Sequence, residues 1–309
     1  MIAFRGFTKR FGAHTAVANL TLDAARGEVV ALLGPNGSGK TTSLKAAAGL
    51  LQPSQGDVLI GDPLRPAREP DARRACAYLP QRVVFSDQLT GREVVNFYGA
   101  LRGASASRRD EALTQASLNG ASLRPVGSYS GGMTQRLGLA VTLAANAPLL
   151  LLDEPTAALD PDGLCAFYAL IEGRRSRGQT VVFSSHQLGD VERLADRLAV
   201  LVAGRLVATF TTADLARRLA DRGVMKIAVD RVPPGALDDI RRLAPHALVA
   251  ADQIIVPGPA RIRPAVLDRV RAWHIEIRGL TAEEGRLDTL YRELVHGVER
   301  PGATPAEAT

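Results

Sequence analysis

Cysteine is nearly absent from this chain, with only Cys76 and Cys165 in 309 residues. The two share neither a CxxC nor a metal-ligand spacing, which excludes a disulfide framework and a thiolate metal centre. What remains is the expectation of two reduced thiols in a cytosolic protein. Long apolar runs are missing as well. The longest, residues 137–152, is interrupted by Thr142, Asn146 and Pro148, whereas a membrane-spanning helix needs roughly 20 apolar residues. The opening MIAFRGFTKRF has no apolar segment behind its basic residues, so no secretory signal is expected. Lysine is scarce, with four against 34 arginines. The net charge is +6, and five of these charges fall before Thr211. They are spread rather than clustered, so the surface suits phosphate or anionic lipid, and no nucleic-acid partner is expected.

What is present is ordinary globular material. Hydrophobic residues make up 46% and charged residues 23%, and a chain of 309 residues is long enough for about two domains. The first 60 residues read as strands, over 2–7, 17–22, 28–33 and 57–60, with a helix ending near Gly49. Residues 52–75 read otherwise as loops. From 90 to 147 the pattern turns helical. Val94, Val95, Tyr98 and Leu101 share a face, a second helix covers 108–118, and a third runs from Gly131 to about Ala145. Strands at 149–152 and 180–184 then alternate with helices at 161–175 and 187–194, and a hairpin at 198–209 turns at Ala203-Gly204. This alternation argues for a parallel sheet with helices on both faces. Beyond Thr211 a smaller unit is expected, with strands at 226–229, 247–256 and 275–277. Its helices are expected at 235–243, 263–271 and 285–295. Residues 299–309 read as a disordered tail.

The chemistry begins at Gly34-Pro35-Asn36-Gly37-Ser38-Gly39-Lys40-Thr41-Thr42, a GxxxxGK[ST] loop between a strand and a helix. Glycines let backbone N–H groups cradle phosphates, the lysine reaches the β- and γ-phosphates, and the Thr41 hydroxyl suits Mg²⁺. Lysine is so scarce in this chain that drift is a poor account of Lys40. The run LLLLDE ends in Asp153 and Glu154. An apolar strand delivers the first carboxylate to the metal shell and the second to the attacking water. Ser130, Gly131 and Gly132 stand ahead of a helix, where free N–H groups make a second anion site or a simple helix cap. His186 follows an apolar strand. At the carboxyl end of a parallel sheet it is a candidate contact for the γ-phosphate.

With these elements in hand, residues 1–210 resemble the ATP-binding subunit of an ABC (ATP-binding cassette) transporter. GPNGSGKT is similar to the Walker A loop, LLLLDE to Walker B and YSGGM (129–133) to the LSGGQ signature. Leu159-Asp160 is similar to the D-loop and His186 to the switch histidine. The resemblance further implies that Phe11 stacks on adenine and that Gln81, in YLPQ, touches Mg²⁺ and water. Phe11 stands where Tyr is usual, Tyr129 for Leu and Met133 for Gln, and none of these changes removes Ser130, Glu154 or His186. The implied fold is an α/β P-loop cassette: a mainly parallel sheet, an antiparallel strand subdomain and an α-helical subdomain over about 82–147. A small α+β domain follows over 211–298.

The resemblance also implies ATP and Mg²⁺ as cofactors. Lys40, Gln81, Glu154 and His186 are then catalytic, Thr41, Gln81 and Asp153 face the metal, and residues 130–132 close on the ATP of a second copy. Integral-membrane permease subunits are the implied partners, on the cytoplasmic face of the cell membrane. The last hundred residues resemble the accessory domain of bacterial exporter ATPases, with LDTLYREL (287–294) loosely similar to their closing helix. Within that group the chain is somewhat similar to the ATPase of a copper-processing system that matures nitrous-oxide reductase. An importer ATPase with a regulatory C-terminal domain and a soluble, non-transport ATPase are the alternatives.

Overall fold

The computed structural model describes residues 1–299. All but the first residue of the expected tail lies outside them. The chain divides into two units, the first ending at Thr209.

The first unit opens with an antiparallel pair, β1 (Ile2–Phe11) and β2 (His14–Ala24), followed by β3 (Val29–Leu33) and α1 (Lys40–Ala47). Next come β4 (Gln55–Ile60), β5 (Arg65–Pro66), α2 (Pro70–Arg74) and β6 (Cys76–Leu79). Three helices intervene: α3 (Gly91–Leu101), α4 (Ala106–Gln115) and α5 (Gly131–Ala144). The unit then runs β7 (Leu149–Asp153), α6 (Pro161–Ser176), β8 (Thr180–Ser185), α7 (Leu188–Leu194), β9 (Arg197–Val202) and β10 (Arg205–Thr211).

Two sheets result. An antiparallel one has the order β2-β1-β4-β5. A six-stranded one has the order β10-β9-β3-β8-β7-β6, parallel from β9 through β6. Strands β3, β7 and β8 are buried at every residue, because helices or the second sheet cover both faces, and hence they read as unbroken apolar runs. Phe7, Leu20 and Ile60 of the antiparallel sheet join Leu44 of α1 and Leu151 and Leu201 of the parallel sheet in one core. The register sets Leu33 beside Ser185, and Asp153 beside Ser184. The carboxyl ends of β3, β8 and β7 thus emerge side by side, which gathers the phosphate loop, the Asp153-Glu154 pair and His186 at one edge.

Several elements escape the sequence pattern. Strand β5 and the five-residue α2 lie where loops were expected, and β6 lies just beyond them, where no element was expected. In α3 the apolar stripe is covered only in its first half: Val94 and Val95 are buried, whereas Tyr98 and Leu101 are exposed.

The second unit contains α8 (Thr212–Ala220), β11 (Val224–Val229), α9 (Ala236–Arg241) and β12 (Leu248–Ala250). It continues with β13 (Gln253–Pro257), α10 (Arg263–Ala272), β14 (Ile277–Glu283) and α11 (Leu287–Glu299). Its sheet is antiparallel with the order β12-β13-β11-β14, a βαββαβ arrangement of ferredoxin-like type. Met225, Ile227, Val229, Ile254 and Val256 pack with Ile240 of α9 and Val266 and Val270 of α10. Asp239 accepts from Trp273 Nε1 at 2.9 Å and pairs with Arg269, tying α9 to the end of α10. Strand β14 begins at Ile277, where the expected strand of 275–277 ends. Its sequence IRGLTAE has little apolar alternation, and its pairing with β11 makes it a strand.

Candidate nucleotide site

The phosphate loop is tied down from several sides. Gly39 has φ +99°, and a Cβ there would lie 2.7 Å from the Ala16 carbonyl oxygen and 2.9 Å from Val17 Cγ2. Only glycine lets the loop lie this close to β2. Ser38 Oγ is buried without a hydrogen-bond partner, a free polar group of the kind a phosphate oxygen would satisfy.

Lys40 is the first residue of α1 and is buried. Its Nζ donates to the carbonyls of Gly34 at 2.6 Å and Pro35 at 3.1 Å, and lies 3.8 Å from the Glu154 carboxylate. Burial lowers its pKa from the ordinary lysine value, and the charges of Glu154 and Asp153 oppose that shift.

Asp153 ends β7 and is fully buried. One carboxylate oxygen accepts from Ser184 Oγ at 2.7 Å and from Thr41 Oγ1 at 3.1 Å, and the other accepts from Tyr78 OH at 3.3 Å. Burial and the neighbouring Asp153 charge push the Tyr78 hydroxyl well above the usual phenol range, so it stays a neutral donor. Thr41 and Asp153 are hard oxygen donors side by side, the kind that Mg²⁺ takes alongside nucleotide phosphates. No group of three His, Cys, Asp or Glu among the described residues would hold a metal by itself. Such a set fits an ion that arrives with the nucleotide.

Glu154 takes a left-handed backbone, φ +50°, uncommon for a residue other than glycine and a mark of strained functional positions. Its N–H donates to Ser184 Oγ at 2.9 Å. The buried carboxylate faces Lys40 with one oxygen and bonds His186 Nδ1 with the other. The His186 side chain is half exposed.

A cavity of about 500 Å³ runs from Phe11 and His14 over residues 36–42 to Gln81 and Glu154. Phe11 is 48% exposed at the end of β1, with Lys9 Nζ 5.1 Å from its ring centroid. Ser130, Gly131 and Gly132 do not line this cavity. Ser130 Oγ caps α5, accepting from Met133 N at 3.2 Å. Gly132 packs so closely on the loop after Glu154 that a Cβ would sit 2.7 Å from the Ala158 oxygen.

Sequence reasoning missed Tyr78, Ser184 and His14. Tyr78 lies three residues before Gln81 on a strand paired with β7, and that pairing is invisible in the sequence. Ser184 was legible only as part of the strand leading to His186.

Comparison with known proteins places this geometry. The sequence profile described as "ABC transporter" matches residues 17–157. The daunorubicin resistance ATP-binding protein of Streptomyces coeruleorubidus is 33% identical over 292 residues, covering 92% of this chain and 90% of its own. The chain belongs to the ABC transporter family. It is 34% identical to the Nod factor export ATP-binding protein of Burkholderia lata over 273 residues, 85% of this chain and 88% of that one. The linearmycin resistance ATP-binding protein of Bacillus subtilis is 27% identical over 95% of this chain and 98% of its own. Among solved structures, a dimeric bacterial ABC transporter cassette superposes with a TM-score of 0.64 at 29% identity, over 69% of this chain and 99% of that chain. A dimeric cassette bound to ADP and Pi in a post-hydrolysis state scores 0.63 at 28% identity, with the same coverage. The cassette binds ATP and is an ATPase.

Proposed function

We propose that this chain is the ATP-hydrolysing subunit of an export-type transporter. A second copy of the chain completes the site, and separate membrane permease subunits convert ATP-driven closure into transport. The observation that carries the chemistry is the Glu154 carboxylate, held between Lys40 Nζ and His186 Nδ1 at the mouth of the phosphate loop. In this reading the loop amides and Lys40 hold the phosphates. Glu154 takes a proton from the water that attacks the γ-phosphorus. The bond from that phosphorus to the β–γ bridging oxygen breaks, leaving ADP and phosphate. His186 orients the water and the γ-phosphate through its bond to Glu154. Phe11 offers its exposed ring to the adenine. Thr41, Asp153 and Gln81 would hold Mg²⁺, which would supply charge neutralisation at the phosphates.

Residues 130–132 do not line their own chain's cavity, which supports a head-to-tail pair in which each α5 N-terminus closes the other's nucleotide. The dimeric cassettes among the structural relatives support the same arrangement. Export is supported by the relatives named for drug resistance and Nod factor export. An apolar surface follows Gln81: Val84, Phe97 and Leu101 are exposed, and Tyr98 sits between Phe85 (tilted) and Phe97 (edge-on) at 5.8 and 5.1 Å between ring centroids. Such a patch suits a permease loop, which would hold the chain at the inner face of the membrane. No helix among the described residues is long and apolar enough to cross it.

Glu154→Gln tests the proposal. The variant is expected to bind ATP, to lose at least a hundredfold in turnover, on the order of a general base's contribution, and to elute as a dimer with ATP. Normal turnover would overturn the assignment of Glu154, and a monomer at saturating ATP would overturn the pairing.

A further inference from the structure

Asp190, in α7, is 1% exposed and has no ion-pair partner among the described residues. A buried carboxylate is costly unless its oxygens are satisfied, and here three hydroxyls converge on it. Thr156 Oγ1 donates to Oδ2 at 2.6 Å, Ser185 Oγ to the same oxygen at 2.9 Å, and Tyr168 OH to Oδ1 at 2.7 Å. The first two donors belong to different turns. Thr156 stands two residues after Glu154, in a turn closed by Ala157 N to Glu154 O at 3.3 Å and Leu159 N to Thr156 O at 3.1 Å. Ser185 directly precedes His186, and its Oγ accepts from Gln187 N at 2.9 Å, so its side chain spans the turn that presents the imidazole.

We propose that Asp190 is a positioning residue: by accepting from Thr156 and Ser185 at once, it clamps the turn behind Glu154 to the turn that carries His186. This sets the contact between their side chains. The inference rests on the roles given above to Glu154 and His186. Apart from this clamp the two turns meet only through the Glu154–His186 contact itself among the side-chain hydrogen bonds of the described residues, and Ser184 Oγ, bonded to Glu154 N and Asp153, holds the strand ends rather than the turns. Tyr168 anchors the clamp to α6, and burial together with the Asp190 hydrogen bond and charge keeps its hydroxyl protonated as a donor.

The test compares Asp190→Ala, Asp190→Asn and Thr156→Val in the full chain. Asparagine keeps one oxygen able to accept from both hydroxyls. Asp190→Ala and Thr156→Val are expected to lower kcat tenfold to a hundredfold while the Kd for ATP stays within twofold, and Asp190→Asn to restore at least half of the wild-type kcat. Equal loss in kcat and ATP affinity, or wild-type kcat in Asp190→Ala, would overturn the proposal. A second readout is independent of catalysis. In protein labelled at histidine, the His186 imidazole resonance, assigned by its disappearance in His186→Ala, is expected to move in Asp190→Ala as it does in Glu154→Gln. It is expected to stay in place in Asp190→Asn. A His186 resonance unmoved by Asp190→Ala would overturn the clamp whatever role Glu154 proves to have. Wild-type turnover in Glu154→Gln with a moved resonance would overturn the catalytic reading and leave the clamp standing.

Discussion

Lys40 is a cation kept where a cation is disfavoured. Its burial lowers its pKa, and the Gly34 and Pro35 carbonyls with the Glu154 carboxylate offset the cost. The phosphates of ATP take over that partnership. Lys40→Ala is therefore expected to weaken ATP binding roughly tenfold to a hundredfold, the loss of one charge-assisted hydrogen bond, as measured by equilibrium dialysis. The two thiols behave as opposites. Cys165 is exposed, whereas burial pushes the Cys76 thiol from 9.0 up to about 11. At pH 8 iodoacetamide is expected to label Cys165 alone, with Cys76 reacting only after denaturation, as read by peptide mass spectrometry. Between pH 9 and about 11 the folded chain keeps the Cys76 proton that the unfolded chain has lost. The contribution of this thiol to stability therefore falls as pH rises through that window. Lys40, Thr41, Asp153, Glu154 and His186 were legible in the sequence because each stands beside a strand that announces itself. Tyr78 and Asp190 were not, because their partners come from strands and turns far away in the chain.

At the scale of elements, burial decided what could be read. Strands β3, β7 and β8 are covered on both faces and show as apolar runs. Strand β14 lies at a sheet edge and is mostly exposed, so its residues carry no such signal. Helix α8 was not expected at all, although Thr211 and Asp214 form a capping box at its start. Helix α5 shows how one element serves two ends. Its Ser130 cap holds the first turn, and Gly132 rests on the Ala158 carbonyl. A methyl group at 132 would force α5 and the loop after Glu154 apart. Gly132→Ala is expected to lower stability by about 1–3 kcal/mol, the usual cost of overpacking, and hydrolysis at least tenfold, with ATP still bound at the phosphate loop. Thermal melts, turnover and nucleotide titration together check this.

At the scale of the whole molecule, each unit has its own core. A chain cut after Thr209 is expected to fold and to bind ATP within about threefold of the full chain, since about 0.6 kcal/mol separates such affinities. Circular dichroism and nucleotide titration of that fragment check it. The βαββαβ order of the second unit was legible only in part, because the sheet order rests on pairings between residues up to 59 apart, such as Val224 with Glu283. The position of residues 130–132, outside the cavity of their own chain, has a consequence for rate laws. In the proposed pairing hydrolysis is second order in protein: a lone copy idles, and the rate per chain climbs with concentration until pairs predominate. A copy adrift from its permease would leave the cell's nucleotide pool untouched, and fuel would burn only where two copies are held side by side.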